Sequence, residues 1–186
     1  NQLEDTIIIF HADHGEMLGD HGIYLKGPYF YEPAIHIPLI IYWKDKIQSK
    51  KIDSLVELID LPETILEMVN VPRHSGMQGK SLWSLISSDK DPTHHRDDIY
   101  CEYYNAMPWH REPTAQATMV RTERCKLVVD HTRSFGELYD LERDPRETNN
   151  LWNNKEYSEI KTDMLIRLTN RMAFTVDPLP QRIGRF

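Results

Sequence analysis

Asp13 and His14 stand side by side, with Gly15 behind them, in the run His11-Ala12-Asp13-His14-Gly15-Glu16. A carboxylate next to an imidazole, followed by a glycine that lets the backbone turn sharply, can aim two donors at one metal ion. An isolated Asp-His-Gly is more often a surface turn with a helix cap. This one continues as Met17-Leu18-Gly19-Asp20-His21-Gly22-Ile23-Tyr24-Leu25-Lys26-Gly27, which places a lysine thirteen positions beyond Asp13. His21 either lines a site or hydrogen-bonds the loop to itself, and His11 reads as a strand-end residue rather than a third ligand. A second group lies on a long connection in the other half of the chain: Tyr103, Tyr104, Asn105, Met107, Trp109, His110 and Arg111. Aromatic and Arg side chains on a loop suit a sugar or aryl anion, or else the rings cover a sheet while His110 and Arg111 face water. His94 and His95 have no further ligands in spacing, so a metal role is not expected of them.

These residues need a frame. Residues 6–10 (Thr-Ile-Ile-Ile-Phe) are β-branched and aromatic without polar alternation, which reads as a strand covered on both faces, of the kind found in the middle of parallel sheets. Asp13 then falls just past the carboxyl end of that strand, where open α/β sheets place their ligand sites. Residues 37–43 repeat the composition, with Pro38 at the start. Asp60-Leu61-Pro62-Glu63 has the form of a capping box with an early proline, opening a helix that runs toward Pro72. Strand, loop, strand, helix is the rhythm of an α/β layer.

Between about residues 87 and 96 the composition shifts to Ser, Asp, Lys, Pro and His, marking a boundary, so we divide the chain at 1–90 and 91–186. Beyond it, residues 99–104, 117–121, 126–130 and 137–141 are short strand candidates, with a hairpin turn at 122–124 and another turn at 142–145. Ile160, Met164, Leu168 and Met172 recur every four residues, one apolar stripe on a helix over 155–174. The expected fold class is α/β in the first half, with a small antiparallel four-stranded sheet capped by a helix in the second.

Composition narrows the function. With 22 Lys+Arg against 29 Asp+Glu the chain carries a formal charge of −7, which argues against nucleic acid as a partner. Its apolar runs stop well short of the roughly 20 residues that span a bilayer, so no membrane segment is expected. Two cysteines make no disulfide framework, and Cys101 and Cys125 sit in strand-like settings where an inert thiol is the default. The chain opens at Asn1 without a leader and reads as a fragment preceded by the N-terminal half of a parent protein.

The stretch from Thr6 to Tyr42, TIIIFHADHGEMLGDHGIYLKGPYFYEPAIHIPLIIY, resembles the sulfatases of the alkaline phosphatase superfamily in the order of its parts: strand, Asp-(Asn/His)-Gly loop, Gly-(Asp/Glu)-His-Gly, lysine and Pro-Leu-Ile strand. A second match, from Glu137-Leu138-Tyr139-Asp140-Leu141 through Asp144-Pro145 to Leu151, resembles the closing strand and turn of bacterial sulfatases. The resemblance implies an alkaline-phosphatase-like sheet in residues 1–90, a divalent cation, usually calcium, on Asp13 and His14, and Lys26 against the sulfate. His21 is carried beside Lys26 as a candidate catalytic residue, and Trp109, His110 and Arg111 as candidate substrate contacts. An imidazole at position 14 is softer than the Asn of many relatives, which keeps manganese, zinc and magnesium open beside calcium. Sulfuryl transfer develops charge on oxygen, and a cation with a fixed ammonium stabilises it where water is excluded.

The family nucleophile is a formylglycine made in a Cys/Ser-x-Pro-x-Arg motif, and neither Cys101 nor Cys125 stands in one. The aspartate pair that completes the family's metal site is absent too, since Asp97-Asp98 precedes a strand in the second half. The fragment alone is therefore expected to be inactive, its parent a sulfuric ester hydrolase acting on a sulfated small molecule or carbohydrate. Family analogy suggests a bacterial periplasmic or secreted enzyme. The alternatives are a phosphonate monoester or phosphodiester hydrolase of the same superfamily, and a noncatalytic module that keeps the fold.

Overall fold

The computed structural model describes residues 2–87, 94–104 and 115–175. In the first half, β1 (Ile7–His11) pairs antiparallel with β2 (Leu39–Trp43), Ile9 opposite Ile41 and His11 opposite Leu39. Between them lie a long loop and the single turn α1 (Glu32–Ile35). Two further helices follow, α2 (Asp60–Met68) and α3 (Trp83–Ser87). Ile9, Leu39 and Ile41 point inward onto Leu61 of α2, Leu82 just before α3 and Leu85 within it.

Within the described residues β1 has neither a parallel neighbour nor a cover on both faces. The partner of β1 among the described residues is antiparallel, and the outer face, Ile8, Phe10, Ile40 and Tyr42, is exposed, with Phe10 58% and Ile40 61% accessible. Because side chains alternate faces along a strand, an unbroken apolar run means two faces to bury. This chain supplies a cover for one.

In the second half, β3 (Ile99–Tyr104), β4 (Gln116–Arg121), β5 (Cys125–Asp130) and β6 (Phe135–Asp140) form an antiparallel meander in sequence order. The β4–β5 turn closes as read from the sequence, with Thr122 N donating to Cys125 O at 2.8 Å. After a short 3-10 turn, α4 (Ser158–Phe174) lays its stripe on one face of the sheet: Met164 and Leu168 are buried against Val120, Leu127 and Leu138, with Ile160 and Met172 at the edge. The opposite face carries Ala117, Met119 and Val128, and onto it packs Phe30 with Ile35 from the first half. The sheet is thus a floor shared by α4 below and residues 30–35 above. Leu168→Ala, which empties the centre of the α4 contact, is expected to cost about 3 kcal/mol in denaturant unfolding, and a loss under 1 kcal/mol would mean that α4 docks loosely.

The capping box read at Asp60 does not form. Ile59 holds the N-cap position without a side-chain bond, and Asp60, fully buried, accepts instead from Glu57 N at 2.9 Å, from Lys80 N at 2.8 Å and from the Arg96 guanidinium. A buried carboxylate demands charged and hydrogen-bonding partners, and these come from three loops that no local pattern connects. His95 is part of the same cluster, buried, with Nε2 3.4 Å from Asp60 Oδ2.

Burial holds the His95 imidazole below its ordinary value, outweighing the pull of Asp60. The unfolded chain therefore takes up this proton before the folded one does. Stability from a neutral His95 is present above about pH 6.5 and is lost as pH falls through the folded value. Thermal unfolding followed across that range should show a shallower loss toward acid in His95→Gln than in the unsubstituted chain, and equal slopes would remove His95 as the cause.

Cys101 and Cys125 are both free. Burial pushes the Cys101 thiol up to about 11 and raises that of Cys125, which suits the inert role expected of them. Among the described residues no helix is long and apolar enough to cross a membrane.

Candidate functional site

β1 ends at His11, and the chain turns at once to present Asp13 and His14. Gly15 makes the turn possible. Its amide donates to Ala34 O of α1 at 2.8 Å, and the approach is so close that a Cβ there would lie 1.9 Å from Pro33 O. Only a residue without a side chain lets the loop seat on α1.

Beyond it the loop closes on itself, Leu18 N donating to Tyr24 O at 3.1 Å and Gly19 N to Ile23 O at 2.9 Å, with Met17 buried as its anchor. Gly19 adopts φ 107°, a conformation that L side chains rarely enter. The closed loop delivers Lys26 back toward Asp13.

The two candidate ligands have complementary free atoms. Asp13 Oδ1 accepts from His14 N at 2.9 Å, which leaves Oδ2 open. That amide bond is the main reason the Asp13 carboxyl is held below its ordinary value, with smaller help from His14 and Lys26. His14 Nδ1 lies 2.8 Å from Gly15 O. A carbonyl only accepts, so Nδ1 carries the proton and Nε2 offers its lone pair, the arrangement that metal-bound histidines use. Nε2 and Asp13 Oδ2 are 3.5 Å apart. Two ligands each about 2.0–2.4 Å from one cation stand roughly 3–3.5 Å from each other, so the pair fits two positions on a shared divalent ion. Among the described residues no third His, Cys, Asp or Glu joins them.

Lys26 lines the same broad cleft as Asp13 and His14, a cleft that continues past β2 and α3 to the four-stranded sheet, and it is near enough for its charge to help lower the Asp13 carboxyl. It forms no hydrogen bond or ion pair with the described residues, so its ammonium remains available to an anion there. His21 is placed elsewhere. Its ring stacks on Tyr31 at 3.8 Å and 10°, in a backbone of φ 54°, and it is not among the residues lining the groove. That contact ties the loop to α1. His94 pairs with Asp97 at 3.2 Å and His95 with Asp60. Trp109, His110 and Arg111 lie outside the described residues.

Sequence reasoning missed Lys126, Glu32 and Glu147. Lys126 is fully buried on the sheet face that receives Phe30, with Nζ 2.7 Å from Glu32 Oε1 and 2.7 Å from Glu147 Oε1. A signal was present: along Cys125-Lys126-Leu127-Val128, period-2 alternation puts Lys126 on the same face as Val128.

The fold as a whole, a two-stranded layer with helices joined to a meander backed by a helix, is similar to that of hydrolases of the alkaline phosphatase superfamily. A family model described as N-sulphoglucosamine sulphohydrolase, C-terminal, matches residues 19–173. The chain belongs to that sulfatase family. It is 30% identical over 167 residues to an N-acetylglucosamine-6-O-sulfatase of Bacteroides thetaiotaomicron, a match covering 88% of this chain and 29% of that protein. Its fold is similar to a structure solved in complex with its substrate D-glucosamine-2-N,6-O-disulfate (TM-score 0.77, 26% identity, covering 94% of this chain and 35% of the other). It is similar also to a phosphonate monoester hydrolase from Silicibacter pomeroyi (TM-score 0.80, 25% identity, 92% and 36%). The chain thus spans about a third of the length of the relatives it matches.

Proposed function

We propose that this chain is the C-terminal part of a sulfuric ester hydrolase acting on a sulfated small molecule or carbohydrate, with Asp13 and His14 on a divalent cation and Lys26 against the transferring sulfate. The observation that carries the reading is the pair of free atoms, Asp13 Oδ2 and His14 Nε2, 3.5 Å apart in a groove that Lys26 also lines. A hard oxygen donor beside one imidazole suits calcium, and manganese, zinc or magnesium fit the same two donors. When bound, the cation supplies positive charge where the sulfate oxygens become more negative. Asp13, kept ionised by the His14 amide, and His14, held in one tautomer by Gly15 O, orient that charge. Lys26 adds a fixed ammonium on the same side.

The remaining ligands and the formylglycine nucleophile would come from the N-terminal half of the parent. The exposed outer face of β1 and β2 supports such a partner, since Ile8, Phe10, Ile40 and Tyr42 form a contiguous apolar patch on a sheet. On this reading the isolated chain hydrolyses nothing.

The likeness to a phosphonate monoester hydrolase favours a second reading, in which the same three residues serve phosphoryl transfer. The test is peptide mass spectrometry of the parent enzyme with an aldehyde-trapping reagent, combined with turnover of an aryl sulfate and an aryl phosphonate. A trapped aldehyde and faster aryl sulfate turnover are expected. Faster phosphonate turnover would transfer the assignment to the second reading, and a parent that binds no divalent cation would leave a noncatalytic module.

A further inference from the structure

Lys126 is an ammonium with no access to water, and its three neighbours are Phe30 and Glu147 on loops and Glu32 at the start of α1. Nζ donates to Phe30 O at 2.9 Å and lies 2.7 Å from a carboxylate oxygen of both Glu32 and Glu147. Glu147, itself buried and with φ 55°, has its other oxygen on Glu32 N at 2.8 Å, while Arg121 Nε donates to Glu32 Oε1 at 3.0 Å. Two cations thus meet two carboxylates, and the half-buried Glu137 feels both Glu147 and Lys126 from the same side of the sheet. Burial alone would raise the Glu32 carboxyl, and Lys126 with Arg121 outweigh it and hold it below its ordinary value.

A buried ion pair seldom stabilises a fold more than an apolar pair of the same volume would. Its distinctive property is that it accepts one geometry. Here that geometry grips the main chain at Phe30 and the side chain and amide at Glu32, the residues on either side of Tyr31 where α1 begins. One turn later Ala34 O receives the Gly15 amide, and Gly15 is the neighbour of His14. Lys26 lies on the same stretch of chain, four residues before Phe30.

We propose that Lys126 is a positioning residue: with Glu32 and Glu147 it clamps residues 30–35 to the C-terminal sheet and, through Ala34 and Gly15, sets the Asp13–His14 pair. The proposal deepens the reading of Asp13 and His14 as cation ligands and rests on it. It gives the second half of the chain a part in the chemistry that shape alone does not.

The test uses the complete parent enzyme carrying Lys126→Met, with Leu168→Ala as a comparison that loosens the other face of the same sheet. Amide hydrogen exchange and calcium titration are read together. In Lys126→Met, peptides covering residues 12–16 and 30–35 should exchange at least about 10-fold faster and calcium should bind about 10-fold more weakly, the size seen when the supports of metal ligands are removed. Leu168→Ala should change neither. Unchanged exchange at residues 12–16 in Lys126→Met, or equal acceleration in Leu168→Ala, overturns the clamp. Faster exchange with calcium affinity unaltered in both Lys126→Met and Asp13→Ala supports the clamp and overturns the ligand reading instead. Should Lys126→Met not fold, Glu147→Gln, which keeps the shape and removes one charge, should show the same local acceleration to a smaller degree, and its absence is equally decisive.

Discussion

Asp13→Ala in the complete parent enzyme should lower turnover by about 1,000-fold or more. The substitution removes the only carboxylate oxygen that the described residues aim at the proposed cation, and leaves His14 Nε2 as a single donor. Charge developing on the sulfate oxygens would then meet a cation that is displaced or lost. The side chain of Asp13 is 83% exposed and its contacts are with the neighbouring His14, so the fold should survive the change and a fall in turnover can be read as chemistry. Asp13→Asn separates the two things a carboxylate supplies. It keeps an oxygen donor without the charge, so calcium affinity should fall less than in the Ala variant while turnover still drops. Calcium titration beside steady-state kinetics checks both, and near-normal turnover in Asp13→Ala would sink the assignment.

Lys26→Ala should cost about 100- to 1,000-fold in kcat, the range found when a single preorganised donor to a developing anion is removed. Lys26 has no ion pair with the described residues to hold it elsewhere, and it lines the groove that contains Asp13 and His14. Its variant should leave calcium affinity near that of the unsubstituted enzyme, because the ammonium is not a ligand. That contrast distinguishes the two residues: Asp13 variants move the metal titration and Lys26 variants do not. Lys26→Arg should recover part of the loss, since charge is kept while a compact ammonium is exchanged for a broad planar fork. Loss of calcium affinity in Lys26→Ala, with kcat unchanged at saturating metal, would make Lys26 part of the loop's support and not a contact to the sulfate.

Both predictions depend on a loop that near-neighbour spacing alone makes recognisable. The adjacency of Asp13, His14 and Gly15 at the end of an apolar strand, with Lys26 thirteen positions on, is a local pattern, and so is the four-residue stripe from Ile160 to Met172. The strands of the meander are legible for the same reason. Alternation and turn residues act between near neighbours, and the observed bounds, Gln116–Arg121, Cys125–Asp130 and Phe135–Asp140, differ from the expected ones by one or two residues.

Where local pattern does not suffice, a distant partner decides the outcome. Asp60 carries the form of a helix cap and serves as the hub for Lys80 N and Arg96, because a carboxylate shut away from water must find charge wherever the fold brings it. The apolar run of β1 promises two covered faces, and one of them, Ile8 and Phe10, lies open in this chain. His21, next to the candidate loop in sequence, turns its ring onto Tyr31.

The family, the strands, the helices α2 and α4, and the residue types proposed for a cation and an anion are legible in the chain itself, since each is written in spacings of a few residues, whereas the short helices α1 and α3 are not. Only the folded molecule establishes which atoms of those residues are free, that Lys126 reaches Phe30 across 96 positions, and that Glu147 holds Glu32 across 115. Pairings of that span leave no periodicity in the chain, and a buried charge reveals its meaning only when the groups that neutralise it are brought within about 3 Å.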